Sequence, residues 1–97
     1  MAQVIWTDNA LHGLRDVVEY VELFNPLAAS NLAKEVFLAT DRLIDFPESC
    51  PLVQELPDHS FRQILVDLLR LLYLFDNDTV TIMHVIRQER SLRAFLA

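Results

Sequence analysis

Residues 61–86, FRQILVDLLRLLYLFDNDTVTIMHVI, decide the fold of this chain. Three runs rich in Ile, Leu, Val and aromatic residues, Phe61–Val66, Leu69–Phe75 and Thr79–Ile86, read as β-strands. Asp76-Asn77-Asp78 separates the last two as a turn, because Asn and Asp bond to nearby backbone and tolerate left-handed dihedrals. Asp67 and Leu68 make a less obvious turn between the first two. Simple alternation puts Val80, Ile82, His84 and Ile86 on one face of the last strand, and Thr81, Met83, Val85 and Arg87 on the other. His84 and Arg87 should therefore point apart unless a bulge intervenes.

Upstream of these runs the period changes. Gln3–Thr7 (QVIWT) is apolar and β-branched, a short first strand. Thr7 or Asp8 then offers an N-cap, and Ala10, Leu11, Leu14, Val17, Val18 and Val21 follow at steps of three and four. This predicts an amphipathic helix running to about Phe24. Asn25-Pro26 restarts the pattern, with Asn as a preferred cap and Pro tolerated at the first helical position. A second helix carries Ala29, Leu32, Ala33, Val36, Phe37, Thr40, Leu43 and Ile44 and is expected to end at Phe46-Pro47. So tight a link makes the pair an antiparallel hairpin. Pro47–Ser60 holds three prolines and no period, so it is a loop. From Gln88 onward, Leu92, Phe95 and Leu96 suit a short terminal helix. Trp6, Tyr20 and Phe37 are most simply core residues.

Ninety-seven residues suffice for one domain, here 1–97, and not for two cores. The chain is 53% hydrophobic, with a mean hydropathy of +0.25. That surplus either packs a dense core or remains at the surface, where contiguous apolar patches tend to mark partner sites. No apolar stretch approaches the roughly 20 residues needed to span a bilayer. Met1-Ala2-Gln3 opens no signal peptide, and the lone Cys50 suits a reducing compartment, so a cytoplasmic location is expected. The formal charge is −6, with ten acids against three bases before residue 60 and four against five after it. An isoelectric point near 4.8 argues against direct DNA binding. The positive charge of the second half rests on Arg62, Arg70, Arg87, Arg90 and Arg93.

The order β-α-α-β-β-β-α is that of an α+β fold: an N-terminal strand, then a helical hairpin packed on a small, twisted, mostly antiparallel sheet. In order and spacing, several segments resemble the ParE/RelE toxin superfamily, and more closely its ParE branch. They are Val4-Ile5-Trp6-Thr7, Asn25-Pro26 with Ala28-Ala29, Phe46-Pro47-Glu48-Ser49, Phe61-Arg62, Arg70 with Tyr73, and Val80 to Arg90 through Ile82, Val85 and Gln88. The resemblance implies the toxin of a type II toxin–antitoxin system, inhibiting DNA gyrase and neutralised by a ParD-like or other DNA-binding antitoxin. Cys50-Pro51 stands where the family often has Gly-Arg, and Leu68-Leu69 where many members have a Pro before the arginine strand. These departures keep open a degenerate module that only binds the antitoxin.

The RelE branch resembles ribosome-dependent mRNA interferases, whose chemistry needs a base, an acid and cations. Arg62 and Arg87 could supply cations and His84 a proton shuttle, but the branch's C-terminal tyrosine is missing. No catalytic residues are therefore assigned and no enzyme is expected. Arg62, Arg70, Arg87, Arg90 and Arg93 remain candidates for antitoxin or target binding. The alternative for Arg62 and Arg70 is that they pair with acids and brace the sheet. His12, His59 and His84 lack metal-ligand spacing, and the single Gly13 excludes a Gly-rich phosphate loop, so neither metal nor cofactor is expected.

Overall fold

The hydroxyl of Thr7 joins the start of the first helix to the last described strand. In the computed structural model, which describes residues 1–88, its oxygen accepts from the Ala10 amide at 3.0 Å and caps the first helix. The same hydroxyl donates to the Ile82 carbonyl at 3.0 Å, with that of Met83 at 3.2 Å. Around this joint lie β1 (Gln3–Trp6), α1 (Asp8–Glu22), α2 (Pro26–Asp41), a 3-10 turn (Arg42–Ile44), β2 (Arg62–Val66), β3 (Leu69–Asp76) and β4 (Thr79–Arg87). The sheet order is β1-β4-β3-β2, with β1 parallel to β4 and the other pairs antiparallel. The terminal helix expected from Gln88, and with it Arg90 and Arg93, lies outside the described residues.

Boundaries follow local chemistry. Asn25 caps α2 by accepting from the Ala28 amide at 3.1 Å, and Pro26 begins it. The second helix stops at Asp41, short of the expected Phe46, and tightens into the 3-10 turn. Pro47 disfavours helical dihedrals at Phe46, and the Ile44 carbonyl turns away to accept from the Ala2 amide at 2.7 Å. Asn77 and Asp78 both adopt positive φ (50° and 57°), the type I′ pattern that matches the twist of a β-hairpin.

Strand β4 departs from plain alternation. Leu72 pairs with His84 and Tyr73 with Ile82, so Met83 is an extra residue: a β-bulge. The bulge returns Val85 to the face of Val80 and Ile82, correcting the alternation read from sequence. These three pack with Leu69, Leu71 and Tyr73 against Ala10, Leu14, Leu32 and Val36 of the helices. The opposite face carries Leu72, Ile86, Leu74 and Met83. It is covered by Val53, Leu56 and Phe61, so the proline-rich loop builds a second small core. One isolated bridge, Leu52 to Arg62, ties that loop to the edge of β2.

Two of the three aromatic residues assigned to the core are not in it. Tyr20 is 56% and Phe37 44% exposed. Trp6 is half-buried and leans on Phe37 with ring centroids 5.3 Å apart.

The single glycine has a packing reason. A Cβ at Gly13 would lie 2.7 Å from the Val85 carbonyl oxygen, so only glycine lets α1 approach β4 this closely. Gly13→Ala should gain roughly 1 kcal/mol of helix propensity yet lose about 1–3 kcal/mol to overpacking. Urea denaturation should show a net loss of stability.

Candidate functional site

Three surfaces hold the residues singled out by sequence. The first lies where the 47–60 loop leaves the helical layer. Arg62 projects from β2 on the helix side, and its Nη1 donates to the carbonyls of Cys50 at 2.7 Å and Glu48 at 3.3 Å. Its Nη2 sits 3.5 Å from the Glu48 carboxylate. Beside it the Tyr73 hydroxyl donates to the Pro47 carbonyl at 2.8 Å, and burial holds this phenol protonated far above its ordinary range.

The second surface is on the opposite face of the sheet. Arg70 projects there from β3, and its Nη1 donates to Glu55 at 2.8 Å. This hydrogen bond holds the Glu55 carboxyl below its usual value. A half-exposed pair of this kind contributes under about 1 kcal/mol, so it fixes the loop more than it stabilises the fold. The structure thus does not bring Arg62 and Arg70 together. Each clamps one section of the same loop from a different side of the sheet, as the acid-pairing alternative anticipated, with the loop rather than the sheet being braced.

His84 follows the bulge, on the Arg70 face of the sheet. Its Nδ1 lies 2.8 Å from the Asn9 side-chain nitrogen, which also donates to the Met83 carbonyl at 3.2 Å. An accepting Nδ1 leaves the imidazole proton on Nε2. Phe61 meets the ring edge-on at 5.9 Å, and His59 stacks on Phe61 at 5.6 Å. Burial keeps the His84 value below the ordinary one, so the ring is neutral near pH 7.

The third surface is a cleft of 430 Å³ between α1 and β4, walled by His12, Asp16, Tyr20, Leu68 and Arg87 and floored by Val17, Val21 and Val85. It exists because β1 stops opposite Ile82. Among the described residues no strand pairs with that side of β4 from His84 to Arg87, and α1 passes over it at Gly13. The Arg87 guanidinium lies 5.9 Å from the centre of the Tyr20 ring, a cation–π approach. Arg87 and His84 point to opposite sides of the sheet despite the bulge. Sequence reasoning missed this cleft because its main polar wall, Asp16 with His12, reads there as ordinary helix surface. The signal that could have found it was Gly13 in the middle of an otherwise well-formed helix.

No group of three or more His, Cys, Asp or Glu side chains that could hold a metal occurs among the described residues. None of their helices is long and apolar enough to cross a membrane.

Residues 4–92 match the family described as the ParE toxin of the type II toxin–antitoxin system, parDE. The chain belongs to the ParE toxin family. A curated relative, Toxin RelE2 of Caulobacter vibrioides, is 44% identical over 48 residues, which are 50% of this chain and 54% of the relative's length. The match thus spans about half of that relative. A solved structure titled chromosomal ParDE TA system from P. aeruginosa covers 92% of this chain and 98% of its own, with a TM-score of 0.77 at 15% identity. That likeness confirms the α+β architecture.

His84 gives a pH test of this ParE-family fold. Its folded value lies below the unfolded value near 6.5, so it stabilises the native state fully above that pH. The contribution is lost as pH falls from about 6.5 through the lower folded value. Thermal unfolding from pH 7 to 5.5 should therefore cost the wild type more stability than the His84→Gln variant.

Proposed function

We propose that this chain is the toxin of a type II toxin–antitoxin pair, silenced by a ParD-like antitoxin and acting on DNA gyrase. Family membership supports the toxin and its antitoxin partner. For the antitoxin's seat, the carrying observation is the α1–β4 cleft, a concave apolar surface of a size to take one amphipathic segment. A segment that folds on binding would pay its ordering cost against the apolar floor of Val17, Val21 and Val85.

For the target, the separation of the cationic groups supports a protein-binding inhibitor over a ribonuclease. Arg62 and Arg70 are engaged on opposite faces by loop carbonyls and carboxylates, and Arg87 points to the other side of the sheet from His84. Phosphodiester cleavage instead needs acid, base and cation converging on one phosphate. The second reading, ribosome-dependent mRNA cleavage, is favoured by one fact: the 44% identical relative is named Toxin RelE2. A degenerate module that only binds the antitoxin is the third.

Induced expression separates them. The gyrase reading expects a DNA-damage response, filamentous cells and loss of supercoiling by purified gyrase. Cutting of ribosome-bound mRNA with supercoiling untouched would establish the interferase, and silence in both assays the degenerate module. Saturating antitoxin should also raise the melting temperature, because a ligand of the native state stabilises it by RT ln(1 + [L]/Kd). Equal melting temperatures with and without it would rule out the native-state partner.

A further inference from the structure

The tip of the helical hairpin carries four large apolar side chains in a stretch of eight residues: Tyr20, Leu23, Phe24 and Leu27. Leu23, Phe24 and Leu27 are 79%, 74% and 71% exposed. Single exposed apolar residues need no explanation, but a cluster of them at one projecting point does. Neither core uses these side chains, and the turn itself requires only Asn25 and Pro26.

The backbone of the tip and the Phe24 ring are also held in one shape. The Phe24 and Asn25 amides both donate to the Val21 carbonyl, at 3.0 and 2.9 Å, and the Leu23 amide donates to that of Tyr20. Phe24 meets the Tyr20 ring edge-on with centroids 5.4 Å apart. Asn25 fixes the start of α2 immediately after. Rigid apolar anchors lose little conformational entropy when a partner buries them, and such side chains carry most of the energy of protein interfaces.

Charge narrows the occupant. Asp16, Glu19 and Glu22 form an exposed acidic collar on α1 that outnumbers the one cation placed against the knob, Arg87 beside Tyr20, and no Lys or Arg occurs from residue 16 to residue 33. A second copy would set collar against collar, and an anionic membrane surface or a nucleic acid would be repelled. A protein surface with an apolar recess and a basic rim fits both shape and charge. The tip is convex, so it needs a preformed recess, which a folded protein offers and a segment that folds on binding does not.

We propose that the hairpin tip is a docking knob for a folded protein with an apolar, Lys- and Arg-rimmed recess, the protein this toxin acts on rather than its antitoxin. The proposal rests on the toxin reading above, without requiring gyrase. The test pairs two measurements on the full chain. In cells lacking antitoxin, a photo-crosslinking benzoylphenylalanine replaces Phe24 and its adducts are identified by mass spectrometry. The variant Leu23→Ser/Phe24→Ser/Leu27→Ser is assayed for melting temperature, antitoxin affinity and growth inhibition.

The expected adduct is a folded protein joined at a site bordered by Lys and Arg. A gyrase subunit there agrees with the target reading, whereas a ribosomal protein overturns gyrase and leaves the knob standing. The triple variant should melt and bind antitoxin as the wild type does, yet lose at least tenfold in growth inhibition. A wild type without effect on growth removes the toxin reading, and the adduct then decides the knob alone. The knob is overturned by adducts to nucleic acid only, by no adduct, by full toxicity of the triple variant, or by its loss of antitoxin affinity.

Discussion

Everything in this fold depends on how the bulge at Met83 is satisfied. An extra residue in a strand frees backbone carbonyls from the ladder, and a buried carbonyl without a donor is costly. Here the start of α1 supplies the donors. The Thr7 amide and hydroxyl serve Ile82, and the Asn9 amide group serves Met83. Because Thr7 also caps α1, the position of the first helix and the register of β4 are set at one place. The bulge then turns Val85 inward, Gly13 lets α1 settle over it, and the cleft opens beside them.

This joint also explains the division of labour among charged residues. Once the helices occupy one face of the sheet, the 47–60 loop must cover the other, and it has little regular structure to hold it. Arg62 grips the loop where it leaves the helical layer, Arg70 grips it at Glu55, and Phe61 with Val53 and Leu56 fills the space between. Arginine suits this task because its planar fork binds carbonyls and carboxylates from a fixed direction. Two of the residues with the strongest charge signal in the sequence are thus spent largely on shape. Among the described residues, a cleft and a hairpin tip that are mainly apolar are left open instead.

The sequence showed the element order plainly because each element carries its own period and its own punctuation. Asn25-Pro26 restarts a helix, and Asp76-Asn77-Asp78 turns a hairpin, without help from distant residues. The failures were all non-local. Nothing near Phe46 reveals that the chain tightens into a 3-10 turn from Arg42 and that the Ile44 carbonyl is claimed by Ala2. Nothing within β4 announces a bulge whose donors lie some 75 residues earlier. Tyr20 and Phe37 look like core residues to any periodic reading, since periodicity gives the face of a helix and not what covers it. The cleft was illegible for the same reason, being a gap left where β1 ends.

The parallel pairing of β1 with β4 has a consequence for how the chain comes into being. The first strand is synthesised at the start, yet its only partner in the sheet is the last strand described. During translation the hairpin of α1 and α2 emerges well before β4, with Leu14, Leu32 and Val36 still uncovered. Contacts of such sequence separation close slowly, and unfilled apolar faces invite association meanwhile. The interval between emergence of the helices and arrival of β4 is therefore when a nascent chain is most exposed to capture, by a chaperone or by a partner already waiting.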